Sequence, residues 1–381
     1  MDFTYDDEQH ALREAVRGLV AKSYADFENR RRTVAEEPGF DEQLWARLAE
    51  MGVLGLPFAE EYGGMGAGPV EVGIVAQELG RVLAPEPFLT SVVLAGGVVA
   101  DAGTSEQCQE LLGGLASGGS LLAFAHAEPG ARWTATAASV TAEDGGKGWT
   151  LSGVKEPVPY GARADRLVVS AALPGGGTGL FLVPAEATGV SRTGYRVHDG
   201  TRAARVGFES APATPLGTPG ADRTATVARA LDAARIAAGS EAVGAMEVAL
   251  STTSAYLRSR KQFGVTLNTF QALTFRAADM YVSLELARSV ALWATMVLVS
   301  GSAEEVREAA SRSALQVSRA GRHIGQEAIQ LHGGIAMTAE YSVGSYTSHL
   351  TALEHLLGDG QFHLTQLARA VGDHQEVDPL R

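Results

Sequence analysis

The stretch Tyr256–Met280, YLRSRKQFGVTLNTFQALTFRAADM, decides how the rest of the chain is read. It closes an alanine-rich helical run and sets Arg258, Arg260 and Lys261 together at the helix end. Phe263-Gly264 and Phe270-Gln271 follow. Guanidinium groups bind phosphate oxygens through paired donors, and a neighbouring aromatic ring can cover an adenine or a sugar. Basic residues at a helix C-terminus also complement its dipole, and composition alone favours that plainer reading.

On both sides of this stretch the grammar is helical. Ala221–Gln262 places Val227, Leu231, Ala234, Ala238, Val243 and Met246 near helical spacing, and Thr269–Gly301, Ala303–His332 and Glu354–Val371 read as three more helices. Long helices with small-residue faces predict a tightly packed C-terminal four-helix bundle. Upstream of Pro219 the pattern changes. Leu121–Ala125, Ser139–Ala142, Trp149–Val154, Arg166–Ala171, Gly179–Val183 and Ala204–Phe208 are short apolar or alternating runs separated by Gly, Pro and Asp. They predict a compact β domain, a barrel or sandwich, with no GxGxxG after a strand to support a Rossmann site. Before that, Glu8–Tyr24, Asp41–Met51, Val70–Leu79 and Phe88–Ala100 carry helical stripes around a glycine-rich loop, Pro57–Pro69. The expected architecture is α+β, with an N-terminal helical domain over 1–120, a β domain over 121–219 and the bundle over 220–381.

The bulk numbers narrow the function. A chain of 381 residues exceeds one ordinary core, and 45% apolar with 20% charged residues is a globular balance. Net charge is −13 with no Lys/Arg block, which argues against a nucleic-acid binder. The lone Cys108 cannot form an intrachain disulfide, and no Cys/His spacing suggests a metal. The acidic start, Met1–Gln9, is unlike a signal peptide. The most apolar helical stretch, Val290–Val299, is far short of the roughly 20 residues that cross a bilayer. A cytoplasmic protein without a membrane span is expected.

Two further stretches carry chemistry. Gln330–Thr338, QLHGGIAMT, would let backbone amides approach a ligand after a helix, with Gln330 as donor and acceptor. Ala125–Gly130, AHAEPG, turns at a strand end, where Glu128 reads as structural.

In this order the segments resemble the acyl-CoA dehydrogenase family over essentially the whole chain. Tyr256–Met280 is similar to its Arg-x-x-Phe-Gly…Phe-Gln…Ala-Asp-Met signature, and Gln330–Tyr341 to its Gln-Leu-His-Gly-Gly-x-x-x-Thr-x-Glu-Tyr signature. Ala127–Gly130 and Gly55–Gly64 match its Thr-Glu-Pro-x-x-Gly and Gly-Leu-Pro-x-x-Glu-Glu-Tyr-Gly-Gly segments. The resemblance implies non-covalent FAD held between β domain and bundle, with a neighbouring subunit covering its adenine end. Arg260, Phe263, Gln271, Gln330, Gly333 and Gly334 then match the pyrophosphate and adenosine cradle. Ala125, Ala127 and the Val158–Tyr160 backbone would lie near the flavin ring. It also implies an acyl-CoA substrate, an electron-transfer flavoprotein or similar acceptor, and a homo- or hetero-oligomer, a dimer of dimers.

The family reaction needs a general base close to the substrate α-carbon. Its glutamate stands in one of two places, and these fall here at Leu357 and at Ala234; neither takes a proton. Among substitutes Glu241 leads, two helical turns beyond Ala234, because a carboxylate buried among small apolar neighbours would have a raised pKa. Glu354 and Asp359 read as solvated or paired, and His332 and His363 as packing or phosphate-contact histidines. Lys155–Tyr160 departs from the family's Lys-x-Trp-Ile-Thr-Asn segment. Leu357–His363, Ala242–Met246 and Val197–Ala203 resemble the small subunits of bacterial heteromeric acyl-CoA dehydrogenases acting on steroid side chains and other bulky acyl groups. There the partner chain can carry the glutamate. The alternatives are a homo-oligomeric flavoenzyme with an unusual base or altered chemistry in specialised metabolism, and a non-catalytic structural partner. Arg163, Arg166, Arg192, Arg196 and Arg202 are candidate phosphate contacts, with a surface role the plainer reading.

Overall fold

The computed structural model describes residues 4–24, 26–131, 133–146, 148–338 and 341–373. Ala339 and Glu340 of the Gln330–Tyr341 signature, and Lys147, lie outside the described residues. The first third is helical: α1 (Asp7–Tyr24), α2 (Phe27–Ala35), α3 (Glu42–Glu50) and α4 (Pro69–Val82) are followed by a π-helical segment, Phe88–Gly96, that runs into α5 (Gly97–Ala102), and then by α6 (Ser105–Ala116). Asp26 and Asp41 cap α2 and α3 by accepting from free amides of their first turns. Helices α2 and α6 were not anticipated; α2 carries a charged FENRRRTVA sequence that buries only Arg30, so no apolar stripe announced it.

Seven strands form the middle domain: β1 (Leu122–Ala125), β2 (Thr141–Asp144), β3 (Trp149–Pro159), β4 (Arg166–Ala172), β5 (Thr178–Pro184), β6 (Val190–Arg196) and β7 (Arg202–Pro215). The pairing β2–β3–β7–β5–β4 returns to β2, so the sheet closes as a small barrel, with β1 beside β4 and β6 beside β7. Val140, Leu151, Val169, Phe181 and Val206 fill its interior. Strand β6 was missed because it is half-exposed and rich in Arg, Thr and Gly.

The C-terminal helices are α7 (Thr224–Ser259), α8 (Gln271–Ser300) and α9 (Ala303–His332), with a two-residue hairpin pair, β8 (Lys261–Gln262) and β9 (Val265–Thr266), between the first two. Two shorter helices, α10 (Val343–Leu357) and α11 (Gly360–Ala370), complete the domain; α10 packs on α7 and α9, and α11 on α9. Thus the single helix expected over Glu354–Val371 is two. The break falls at Gly358, whose φ of 130° is open to glycine, while Asp359 caps the new helix through Phe362 N at 2.7 Å.

Helix α8 also corrects the reading of Val290–Val299. The full 30-residue helix is long and apolar enough, by length and composition, to cross a membrane. A bundle helix passes the same test, and α8 packs on α7 and α9, with Arg276 and Arg288 paired to Glu327 and Glu247 on those helices. Its other side leaves Phe275, Val282 and Leu286 more than half exposed.

Helix α4 crosses α7 at backbone contact. A Cβ on Gly244 would meet Gln77 O at 2.0 Å, and one on Gly80 would meet Glu241 O at 2.0 Å. Gly244→Ala is therefore expected to cost about 1–3 kcal/mol, more than the roughly 1 kcal/mol that alanine gains in helix propensity. A lowered melting temperature checks this; an increase would mean that the helices do not cross so closely.

Candidate functional site

Where helical domain, barrel and bundle meet, they enclose a cleft of about 730 Å³. The connection from α4 to the π-helical segment supplies one wall through Pro85, Glu86 and Thr90. The barrel supplies Gly130, Pro157 and Pro159, and the bundle Glu241 and His349. Tyr160 joins two walls: it is buried, and its hydroxyl donates to Pro85 O.

Across the cleft runs a carboxylate–imidazole–carboxylate chain. His349 Nδ1 stands 2.8 Å from Asp199 Oδ2 and its Nε2 3.0 Å from Glu241 Oε1. Burial would lower the imidazole, but the bonds and charges of Asp199 and Glu241 outweigh it and bring His349 up to about 9. Both ring nitrogens then carry protons at neutral pH and donate. Burial acts to raise Asp199, yet His349 and the Thr201 amide and hydroxyl hold it down at about 2. Arg30, buried under the same wall, donates to Asp199 O and Leu83 O.

Glu86 is the other acid of the cleft. Its Oε1 accepts from Tyr24 Oη at 2.5 Å and from Asp41 N at 3.1 Å. Burial pushes the carboxyl up to about 7 despite these donors. Neither Glu86, His349 nor Asp199 was singled out from the sequence. A lone carboxylate between two prolines inside an apolar run, Val82–Leu89, was the available signal for the first.

Ala234 and Leu357, where the sequence reading sets the family's base, lie elsewhere. Ala234 is fully buried and Leu357 nearly so, both within one continuous apolar core that reaches into the N-terminal domain. Neither lines the cleft. Arg235 bridges them: it donates to Leu357 O at 2.9 Å, pairs with Asp232 at 2.8 Å and lies over the Phe362 ring. Glu241, by contrast, does line the cleft, tied to His349. Glu354 is paired with Ser318 and Arg322, and Asp359 is a helix cap. His332 is buried against the Tyr256 ring, 4.5 Å between centroids, and His363 is fully buried beside Gly358.

Glu128 is structural. It accepts from the Ala138, Ser139 and Val140 amides and from Lys155 Nζ at 2.7 Å, and Lys155 also reaches His126 O and Ser170 Oγ. Burial acts to raise Glu128, but Lys155 and these amides hold it at about 2.

The cofactor candidates fall into two groups. Arg260 follows α7, Phe263 sits at the tip of the β8–β9 hairpin, Gln271 opens α8, Gln330 lies in the last turn of α9, and Gly333 and Gly334 open the 3-10 turn that follows it. The antiparallel helices bring these together at one end of the bundle, where Arg276–Glu327 joins α8 to α9 and Tyr256 stacks on His332. Phe263 is 91% exposed, no Cβ clash limits Gly333 or Gly334, and Arg260 has no ion pair among the described residues. A cation, an exposed ring and open glycine backbone suit a phosphate-bearing ligand with an aromatic base. Ala125 and Ala127 are remote from them. Trp133, just beyond their turn, touches Arg235 and His355, and Arg235 lies roughly 37 Å along α7 from Arg260. Ala125 is wholly inside the barrel core and Ala127 half-buried; Pro157 and Pro159 rather than these line the cleft.

The arginines near the barrel are occupied by the protein. Arg163 pairs with Glu42, Arg192 holds three carbonyls of the β3–β4 turn, and Arg196 reaches Ala35 O. Arg202 is not a surface residue: it is 7% exposed and clamps the Val34–Glu36 carbonyls. Among the described residues no group of three or more His, Cys, Asp or Glu could hold a metal ion.

Comparison with known proteins accounts for this architecture. Residues 6–119 match the acyl-CoA dehydrogenase N-terminal domain and 224–372 the C-terminal domain of the same family. The probable acyl-CoA dehydrogenase YngJ of Bacillus subtilis is 30% identical over 359 residues, 90% of this chain and 92% of that protein. A variant of the Tcur3481-Tcur3483 steroid ACAD superposes with a TM-score of 0.87 at 32% identity, covering 96% of this chain and 98% of that one. The ChsE4-ChsE5 complex from Mycobacterium tuberculosis gives 0.88 at 27%, covering 99% and 100%. The chain belongs to the acyl-CoA dehydrogenase family, whose members are FAD-dependent oxidoreductases acting on CH–CH groups.

Proposed function

We propose that this chain is the FAD-holding half of a heteromeric acyl-CoA dehydrogenase, desaturating an acyl-CoA thioester between its α and β carbons, with the catalytic glutamate supplied by a different chain. One observation carries the reading: Ala234 and Leu357, the two positions that match the family's base by motif spacing, are apolar and buried in core. The likeness to two-component assemblies, the Tcur3481-Tcur3483 steroid ACAD and the ChsE4-ChsE5 complex, supports it.

When bound, FAD supplies the acceptor for the β-hydrogen, which leaves as hydride. The chain's residues would divide the work of holding it. Arg260, Gln271 and Gln330, with the Gly333–Gly334 backbone, would bind the pyrophosphate and adenosine, and Phe263 would cover the adenosine. The turn through Ala125 and Ala127 would border the ring. Their separation along α7 supports an arrangement in which the two sets serve one cofactor from two chains. The exposed α8 face, through Phe275, Val282 and Leu286, would then be covered by the neighbour. A cytoplasmic dimer of dimers, reoxidised by an electron-transfer flavoprotein or similar acceptor, follows from the same reading.

A second reading rests on Glu241, the sequence candidate that reaches the cleft: a homo-oligomer using it as base. The visible spectrum and acyl-CoA turnover of the chain, purified alone and co-expressed with the adjacent-gene product, separate these. Flavin absorbance with turnover only in the co-expressed complex is the expected result. Turnover by the chain alone, lost in Glu241→Gln, would establish the second reading. A colourless chain unable to complete a partner's flavin site would leave a structural role only.

A further inference from the structure

The polar groups of the cleft largely satisfy one another. Asp199, His349 and Glu241 form a closed chain and Tyr160 donates to Pro85 O, while on the barrel side Arg202 Nε makes no hydrogen bond among the described residues but lies 3.2 Å from the Glu37 carboxylate. Two buried atoms on the helical wall are different. Glu86 Oε2 and Thr90 Oγ1 are shut off from solvent and have no hydrogen-bond partner among the described residues. Both residues line the cleft, and they are four apart in sequence, where the chain enters the π-helical segment. A buried polar atom without a partner is costly, so native proteins almost always give it one.

We propose that Glu86 and Thr90 form a polar subsite that recognises an uncharged oxygen, hydroxyl or carbonyl, on the distal part of the acyl group. This rests on the acyl-CoA reading of the cleft and specifies its substrate class. The carboxyl is anchored on one oxygen only. Tyr24 and Asp41 N fix Oε1 and leave Oε2 directed by geometry rather than by a partner. In its neutral form the carboxyl offers an O–H to a ligand oxygen; the Thr90 hydroxyl can donate or accept beside it. A carboxylate-bearing tail would find Asp199 and Glu241 already paired with His349, and Arg202 already beside Glu37, and at Glu86 it would meet a second acid. A plain hydrocarbon tail would strand both polar atoms, which is the larger discrimination a hydrogen-bonding site can make.

The test is calorimetric titration of the purified complex, or of the chain if it is stable alone, with octanoyl-, decanoyl- and dodecanoyl-CoA against their ω-hydroxy counterparts. At the length that reaches the subsite, the hydroxylated thioester is expected to bind about ten- to a hundredfold more tightly than its parent. Glu86→Leu with Thr90→Val should invert that preference by tightening the parent, and Glu86→Gln should retain part of it; circular dichroism melting confirms that each variant is folded. Equal or weaker binding of every hydroxylated thioester, as when ordered water already serves both atoms, overturns the subsite while leaving the acyl-CoA reading intact. Failure of all thioesters, parents included, overturns the acyl-CoA reading and the subsite with it.

Discussion

Lys155→Met is expected to lower the unfolding free energy of the barrel by about 3–5 kcal/mol, the usual consequence of stripping one partner from a buried ion pair. Lys155 is fully buried, and its ammonium divides its three protons among Glu128, Ser170 and the His126 carbonyl. Without it, Glu128 keeps its amide donors but loses its countercharge, and the turn through Pro129 and Gly130 loses its tie to β3. Glu128 stands well below its ordinary value, so its contribution is present above about pH 4.5 and lost as the pH falls through about 2. The variant should lack most of that acid-limb stability as well. Urea denaturation followed by barrel tryptophan fluorescence measures the loss. A change under about 1 kcal/mol would show that the amides alone satisfy the carboxylate.

The second large effect is expected at His349. Its rise from near 6.5 to about 9 corresponds to about 3 kcal/mol. A group whose folded value is raised contributes fully below its unfolded value. The contribution is therefore complete below about pH 6.5 and fades as the pH climbs through about 9. His349→Leu should cost about 3 kcal/mol at pH 6, by leaving Asp199 and Glu241 as facing carboxylates, and progressively less toward pH 9. The difference between the denaturation curves of the two proteins, taken across that range, isolates this group from Lys155 and Glu86. A difference that stays flat with pH would mean that the imidazole is neutral in the folded protein. Should Glu241→Gln and His349→Leu also alter turnover, the pH profile rather than its height would distinguish a positioning role from a lost fold.

Much of this was legible beforehand, for physical reasons that particular elements make plain. Long amphipathic helices announce themselves through spacing, and Ala303–His332 was delimited to the residue because Ser302 caps its start and a glycine follows its end. Ala234 and Leu357 were proposed as the base positions by counting from neighbouring motifs, which needs no tertiary information. Glu241 was named from the sequence, but its link to His349 and Asp199 was hidden because the three come from segments separated by long stretches of chain. Their meaning lies in contact, which periodicity does not encode. The role of Lys155 was hidden for a related cause. It sits in a segment whose counterpart borders the flavin, yet its side chain points into the barrel, and only strand register decides which face a residue takes. The break at Gly358 was missed because helical spacing runs on through it.

The apolar setting of Ala234 and Leu357 has a historical consequence. Restoring a base here would take more than one codon's change: Leu357→Glu would put a carboxylate beside a small, mostly apolar cavity of about 40 Å³, with Arg235 already committed to Asp232 and to the backbone. Each apolar neighbour packed against these positions adds to the cost of seating a charge there. Dependence on another chain for the missing carboxylate would thus behave as a ratchet, easily entered when a partner is at hand and hard to leave once the core has closed over it.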